Sequence, residues 1–328
     1  MTMSPLVTAP ASQGAVARSG RLPLPAPLAY ASAAIAGVLY WLAFPGSEAD
    51  IWPLAFIAWV PLIVAMHRQP AGRAMRLGWL TGLTMNVLGF SWLQHMLSTF
   101  SGFPAPVCFF FLLVVCGYQG GRVGLLGWLH GRATGRGWPT APVFAAAFAA
   151  SELLYPLLFP WYFATTVHKV PLLTQLGDVG GPILVGLALV SVNLAVAEPA
   201  LAWMERRAVC VRPVATGAVV IALTCGYGAA RIRAVDAAVR AAPESTVGVV
   251  QADMGLLEKR TAFGEGMRRH LKLSDELHAR GVDFLVWSET SATRPVRDAT
   301  YSTELRPLAR RIGLPAIFGV VIIKPVDD

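Results

Sequence analysis

The sequence predicts a polytopic α-helical membrane domain of about seven transmembrane helices, followed by a partial α/β domain. Only 14% of the 328 residues are charged and 55% are hydrophobic, whereas soluble globular proteins average about 25% charged residues. Long apolar segments recur from residue 26 to residue 230, as expected for transmembrane helices. After residue 245, short β-branched runs alternate with amphipathic segments, which is typical of a sheet layered with helices.

The segment 1–25 is rich in Ala, Pro and Ser and shows no periodicity, which predicts a disordered cytoplasmic N-terminus. The apolar run that follows is too long for a signal-peptide core. A bilayer core of about 30 Å takes about 20 helical residues to cross, and the second predicted span is short enough to be tilted or partly re-entrant. We predict spans near 26–45, 51–67, 76–97, 105–129, 139–160, 181–204 and 213–230, and a linker over 231–245.

Basic residues alternate between the connections, and this alternation predicts the orientation. The connections without an Arg carry no Lys either, apart from Lys169 in 161–180. Because cytoplasmic connections carry the excess of Lys and Arg, the N-terminus is expected in the cytoplasm and the tail in the periplasm of a Gram-negative cell. The formal charge of +8 is then mainly a topology signal, and nucleic-acid binding is not expected. The basic connections contain Arg18 and Arg21; Arg68, Arg73 and Arg76; Arg132 and Arg136; and Arg206, Arg207 and Arg212.

Polar residues inside membrane spans are costly and need a reason. Glu198 lies near a predicted cytoplasmic end, where it is expected to reach water. Glu152 lies deeper and is followed by Pro156 and Pro160, which break a helix. It is interpreted either as an interhelical or interfacial polar contact or as a wall of a lipid-access site. The full set is Gln94, His95, Glu152, Asn193 and Glu198.

The four cysteines lie in or beside apolar segments and lack the spacing of metal ligands or of a disulfide framework. We expect them to be small buried hydrophobic residues. No metal site and no cofactor is predicted. The cysteines are Cys108, Cys116, Cys210 and Cys225.

The tail has a βαβαβ order. Strands are predicted over 246–253, 282–289 and 315–324, with amphipathic helices over 262–280 and 300–312. The strands are continuously apolar, so both faces of the sheet need cover. The second strand ends on Glu289, and open α/β sheets place their sites at the carboxyl ends of strands. Glu289 is therefore the candidate catalytic residue, and the alternative is a solvated carboxylate that merely ends a strand.

Together these segments resemble bacterial apolipoprotein N-acyltransferase. The resemblance is carried by four stretches in order: LAFPGSEADIWPLAFIAWVPLIVAM, SELLYPLLFPWYFATTVHKVPLLTQLGDVGGP, VGVVQAD and WSE. It implies a membrane domain in the bacterial inner membrane, joined to a periplasmic nitrilase-like domain with an α-β-β-α sandwich fold over 246–328.

The resemblance also implies a chemistry. In this family a Glu–Lys–Cys triad transfers an acyl chain from a phospholipid, through a cysteine thioester, to the N-terminal diacylglyceryl-cysteine of a lipoprotein. Glu289 matches the general base of the triad. The sequence departs from the family at Ser288, where proline is usual, and at Gly255 and Arg260, where the family often has proline and tryptophan.

The triad lysine and cysteine lie downstream of the third strand in the family. Lys259, Lys272 and Lys324 do not match the context of that lysine, and no cysteine follows Cys225. The expectation is a chain truncated within the nitrilase-like domain and inactive as given. The alternative is a non-catalytic membrane protein of the same fold that binds lipid or assembles partners. A transporter would require an inverted repeat or paired midplane ionisable residues, and the sequence has neither.

Overall fold

The computed structural model describes residues 23–255, 262–289, 292–297 and 301–323. Most of the predicted N-terminal segment 1–25, together with Lys259 and Lys324, lies outside these residues. The chain divides into two compact units, Met1–Ala237 and Ala238–Asp328. Each unit has its own hydrophobic core, and the two are described separately.

The first unit is helical, and every predicted span contains a helix. Among the described residues, four helices are long and apolar enough to cross a membrane, namely α1, α5, α8 and α9 as bounded below. The remaining predicted spans contain shorter or more polar helices, so the figure of about seven transmembrane helices is not confirmed. In chain order the elements are α1 (Ala26–Ala43), a 3-10 helix (Trp52–Phe56), α2 (Val60–Met66), α3 (Ala71–Gly89), α4 (Trp92–Ser101), α5 (Ala105–Thr134), α6 (Thr140–Leu154), a 3-10 helix (Phe163–Val167), α7 (Pro171–Thr174), α8 (Gly177–Glu205) and α9 (Val211–Ala241).

Two predicted spans are interrupted in the structure. The span 51–67 is a 3-10 helix followed by α2, and each piece begins with a proline in its first turn, a position where proline starts a helix but cannot continue one. The span 76–97 is divided into α3 and α4 at Phe90 and Ser91.

Helix α9 extends further than the sequence pattern indicated. It continues to Ala241 and so includes most of the region 231–245 that was predicted as a linker. The added residues are mainly Ala, Arg and Val. Alanine and arginine are strong helix formers, so α9 can continue beyond its apolar part.

The glycine-rich half of α5 packs directly against α3. A Cβ at Gly78 would lie 2.2 Å from the carbonyl oxygen of Val123, and a Cβ at Gly127 would lie 2.2 Å from that of Ala74. Real side chains do not approach a carbonyl this closely, so only glycine permits the observed helix spacing. Small residues at helix contacts are the usual means of close packing in membranes.

An aromatic cluster forms the centre of the first unit's core. Tyr40 makes edge-to-face contacts with Trp59, Trp161 and Phe163, at ring-centroid distances of 5.1, 5.5 and 4.8 Å. Asn193 of α8 is also buried here; it accepts a hydrogen bond from the Trp59 backbone N–H at 2.9 Å and donates one to a backbone carbonyl at 2.8 Å. The predicted polar residue Asn193 thus joins α8 to the segment between α1 and α2.

The second unit is an α/β structure. Strands β1, β2 and β4 form one parallel sheet in that order, and β3 pairs in parallel with β5. Val250, Leu285, Trp287 and Ile312 are buried in its core. The elements are β1 (Val247–Val250), α10 (Phe263–Ala279), β2 (Phe284–Trp287), β3 (Ala292–Arg297), α11 (Tyr301–Ile312), β4 (Ala316–Ile317) and β5 (Val320–Ile323).

Both helices and the first two strands of the tail lie where the sequence predicts them. The third predicted strand, 315–324, is instead two short strands, β4 and β5, that belong to different sheets. Strand β3 was not predicted. It contains Pro295, a residue that is unusual in a strand interior.

Candidate functional site

The carboxyl edge of the β1–β2 pair is the candidate site in the second unit. The two strands run in parallel with Val250 opposite Trp287, so the residues that follow both strands lie at the same edge. Ser288 still donates its backbone N–H to the Val250 carbonyl at 3.2 Å. Glu289 comes next, and it is exposed. The structure therefore places the predicted catalytic residue just past the last backbone contact of β2, with its side chain accessible.

An arginine lies at the end of β1 on this edge. The Arg269 guanidinium of α10 donates hydrogen bonds to the carbonyl oxygens of Ala252 and Asp253, at 3.3 and 3.4 Å. Asp253 has a φ of 48°, a left-handed conformation that few non-glycine residues adopt. The chain thus turns sharply after β1, and Arg269 holds the turn.

The first turn of α10 carries a carboxylate that pairs with two arginines. Glu265 accepts hydrogen bonds from Arg268 at 2.7 and 2.8 Å and from Arg269 at 2.9 Å. These bonds, first those from Arg268, lower the pKa of Glu265 from its ordinary value of 4.5 to about 2. Glu265 is therefore ionised at neutral pH and unsuited to act as a general base.

A buried histidine contacts the end of β2, and the sequence reading did not identify it. His270 is 3% exposed. Its Nδ1 lies 2.7 Å from the Gly266 carbonyl oxygen, and its Nε2 lies 3.2 Å from the Ser288 hydroxyl. The His270 ring also packs on the Trp287 ring with a centroid distance of 4.9 Å. Ser288, a departure from the family pattern, is thus in a hydrogen bond with an imidazole.

A second hydrogen-bonded chain fixes α10 against β2. The Trp287 indole N–H donates to the Ser274 hydroxyl at 2.9 Å, and that hydroxyl donates to the His270 carbonyl at 2.7 Å. These groups are buried, so the position of His270 relative to β2 is constrained by both packing and hydrogen bonding.

Lys272 does not approach Glu289. It is 72% exposed and lies 4.0 Å from Glu276 on the same helix, as a solvated helix-surface pair. No group of metal-ligating side chains occurs in the part of the chain that the structure describes.

In the first unit, Glu152 forms a buried ion pair. The Arg122 guanidinium of α5 lies 3.2 Å from the Glu152 carboxylate of α6, and the two side chains are 2% and 1% exposed. Of the two interpretations of Glu152 left open by the sequence, the interhelical contact is therefore observed.

The ion pair also binds the segment that follows α6. Arg122 donates to the Trp161 carbonyl at 2.9 Å, and its guanidinium lies 3.6 Å from the centroid of the Trp161 ring. Glu152 accepts the backbone N–H of Phe163 at 2.9 Å.

The Gln119 side chain, one helical turn before Arg122, contacts the same segment. It donates to the Phe159 carbonyl at 3.0 Å and accepts the backbone N–H of Leu158 at 2.8 Å. Helix α5 thus fixes the backbone of the FPW stretch.

Sequence reasoning missed Arg122, although a usable signal was present. Arg122 lies in the interior of a 30-residue apolar helix, and an intramembrane arginine usually pairs with an acidic residue or with backbone carbonyls. Glu152 was the deepest acidic candidate, so the two could have been paired.

The predicted environment of Glu198 was wrong. Glu198 is 4% exposed, accepts hydrogen bonds from Arg207, and accepts the backbone N–H of Cys210 at 2.7 Å. Little of its surface is exposed, because Arg207 and the backbone at Cys210, in the connection between α8 and α9, contact it.

These features define a membrane protein that contains a buried polar centre and a separate α/β unit with a carboxylate at a strand edge. A family model described as the apolipoprotein N-acyltransferase N-terminal domain matches residues 36–195. An apolipoprotein N-acyltransferase of Geobacter metallireducens is 28% identical over 302 residues, which is 88% of this chain and 56% of that relative.

Two further relatives carry the same name. The protein from Vibrio cholerae is 35% identical over 101 residues, 31% of this chain and 20% of the relative. The protein from Bdellovibrio bacteriovorus is 27% identical over 258 residues, 73% of this chain and 46% of the relative. The chain is thus an apolipoprotein N-acyltransferase-like protein. It spans about half the length of the Geobacter and Bdellovibrio relatives.

Proposed function

We propose that the protein containing this chain is a membrane-embedded N-acyltransferase. It transfers an acyl chain from a phospholipid donor to the N-terminal diacylglyceryl-cysteine of lipoproteins. The names of the relatives support the activity, and the match over 36–195 supports a family-type membrane domain. Membrane lipids are the surroundings of the reaction and the source of its donor.

The observation that carries the proposal is the position of Glu289. It lies two residues after the end of the parallel strand β2, at the carboxyl edge of a sheet, where open α/β folds place reacting groups. In our proposal Glu289 is the general base that takes the proton of a cysteine thiol, so that the thiolate attacks the donor ester. The resemblance places the triad lysine and cysteine downstream of the third strand, so Glu289 is the triad member that we assign here. We propose that 246–328 belongs to a nitrilase-like domain.

We also propose a topology. The N-terminus is cytoplasmic, the chain crosses the inner membrane seven times, and the α/β unit is periplasmic. The alternating basic connections support this topology. In this view α1, α5, α8 and α9 each make one crossing alone. The shorter helices make the other three crossings: α2, α3 together with α4, and α6.

The ion pair of Arg122 and Glu152 has a structural role in the proposal. It fixes the backbone at Trp161 and Phe163, and we propose that this segment forms a wall of the lipid-access site. A wall that must accept acyl chains repeatedly needs a fixed backbone, and a desolvated ion pair with several hydrogen bonds supplies one.

The experiment is complementation of a bacterium depleted of its own apolipoprotein N-acyltransferase. The natural reading frame containing this chain is expressed, and the N-terminal lipopeptide of a lipoprotein is analysed by mass spectrometry. The unchanged frame should add one amide-linked acyl chain. Glu289→Gln should lower the rate by about 10²-fold or more, since general bases contribute 10²–10⁴-fold.

Glu276→Gln is the matched control, because Glu276 is an exposed glutamate of the same unit whose ion-pair partner is the exposed Lys272. It should acylate at the unchanged rate. Full acylation by Glu289→Gln would refute the assignment of the base. No acylation by the unchanged frame would favour the non-catalytic lipid-binding alternative.

A further inference from the structure

The hydrogen bond between Ser288 and His270 has the geometry of a nucleophile and its base. In a neutral imidazole one ring nitrogen donates and the other accepts. The Gly266 carbonyl, 2.7 Å from Nδ1, can only accept, so the ring proton is on Nδ1. Nε2 is then the acceptor for the Ser288 hydroxyl proton at 3.2 Å. This is the tautomer that a general base toward serine requires.

The base is held in place by the surrounding packing. The Trp287 ring covers one face of the imidazole, and the Ser274 hydroxyl links the Trp287 indole to the His270 backbone. The imidazole is 3% exposed, so water has little access to it. A base oriented by a third group and within hydrogen-bond reach of a hydroxyl is the general signature of an activated nucleophile.

Ser288 itself is not fully buried. Ser288 is half-buried and follows the last residue of β2, at the carboxyl edge where Glu289 is exposed. Its backbone is anchored by the bond from its N–H to the Val250 carbonyl. The backbone of Ser288 is therefore fixed, and the residue lies at an edge of the sheet where the next residue, Glu289, is exposed.

We propose that Ser288 is a nucleophilic serine with His270 as its general base, and that it accepts the acyl group of an ester. Ser288 Oγ forms a bond to the carbonyl carbon, and the bond from that carbon to the ester oxygen breaks. The hydroxyl proton passes to His270 Nε2 and then to the leaving alkoxide, which departs as an alcohol. The products are an acyl-serine and an alcohol, and no oxidant or reductant is involved.

A fluorophosphonate tests this directly, because it reacts with activated serines by replacing its P–F bond with an Oγ–P bond and releasing fluoride. Purified full-length chain in detergent is incubated with an alkyl fluorophosphonate and analysed by intact mass and peptide mapping. One adduct per chain is expected, on the peptide that contains Ser288. The reaction requires neither Glu289 nor a triad lysine or cysteine, so its outcome is independent of the proposed acyltransferase activity.

Three variants separate the outcomes. Ser288→Ala should abolish the adduct. His270→Gln should slow labelling by about 10²-fold, the lower end of general-base contributions. Ser245→Ala should not change labelling, because Ser245 is an exposed serine in the segment before β1. The proposal is overturned by the absence of an adduct at Ser288, or by unchanged labelling in a folded His270→Gln protein.

A second measurement covers the case in which His270→Gln does not fold. In this arm His270 is retained, and the alkylation rate of Ser288→Cys by iodoacetamide at pH 7 is compared with that of Ser245→Cys. Proton transfer to His270 should make the half-buried Cys at 288 react faster than the exposed Cys at 245. A slower or equal rate would overturn the proposal.

Discussion

The buried ion pair of the membrane domain gives the sharpest stability prediction. Arg122→Met removes the guanidinium that lies 3.2 Å from Glu152 and 2.9 Å from the Trp161 carbonyl. The Glu152 carboxylate then still accepts the hydrogen bond from the Phe163 N–H, but it has lost its counter-charge. Breaking a buried pair from one side costs about 3–5 kcal/mol, and we expect this loss in the free energy of unfolding.

Glu152→Gln should cost a similar amount for the opposite reason, because the buried arginine keeps its charge without a carboxylate. The double variant Arg122→Met with Glu152→Gln leaves no charge behind. Its main loss is the hydrogen bond to the Trp161 carbonyl, which leaves a buried acceptor unsatisfied at a cost of about 1–3 kcal/mol. The double variant should therefore be at least about 3 kcal/mol more stable than the sum of the single effects predicts.

The assay is unfolding of the full chain in mild detergent with increasing SDS, followed by tryptophan fluorescence. Trp59 and Trp161 lie in the aromatic cluster around Tyr40, so loss of the cluster changes the signal. Arg231→Met is the control, since it breaks an exposed pair with Asp178 and should have little effect. Additive single and double effects would refute the reasoning, because they would mean that the two charges do not act as a pair.

Three further outcomes are expected. Gly127→Ala should destabilise the chain by about 1–3 kcal/mol, since its Cβ would overlap a carbonyl of α3. The control is Gly72→Ala, whose added Cβ would have no atom within 4 Å and which should be neutral or stabilising in the same SDS titration. Asn193→Leu should cost about 1–3 kcal/mol, because the Trp59 N–H loses its acceptor; unchanged unfolding would contradict this. The lowered pKa of Glu265 stabilises the folded state above pH 4.5, and this contribution is lost as the pH falls toward 2. Trp287 fluorescence should report that loss between pH 4.5 and 2, and it should change less steeply with pH in Glu265→Gln than in the unchanged chain. Equal steepness in the two proteins would contradict the prediction.

The sequence was sufficient for the elements that depend on long patterns. Helices α1, α5, α8 and α9 have sustained apolar composition, and α10 has clear amphipathic periodicity, so each was found. The short segments were not resolved, because β4 and β5 have only two and four residues. Nothing in one apolar run shows that its two halves pair with different strands.

The site was predicted only in part. Glu289 was singled out because a strand that ends on a carboxylate is a local pattern, and its catalytic role stays a prediction. The contact between His270 and Ser288 is not local: it depends on how a helix packs on a strand 18 residues away. The pairing of Arg122 with Glu152 is likewise set by helix packing across 30 residues, although the cost of an intramembrane charge signals that a partner must exist.

The most direct test is to determine on which side of the membrane the α/β unit lies. Alkaline phosphatase and green fluorescent protein are fused separately after Ala208, before α9, and after Ala242, just beyond its end at Ala241. The account predicts fluorescence and no phosphatase activity at the first site, with the reverse at the second. Fluorescence after Ala242 would contradict it, since Glu289 would then lie in the cytoplasm, away from a periplasmic acceptor.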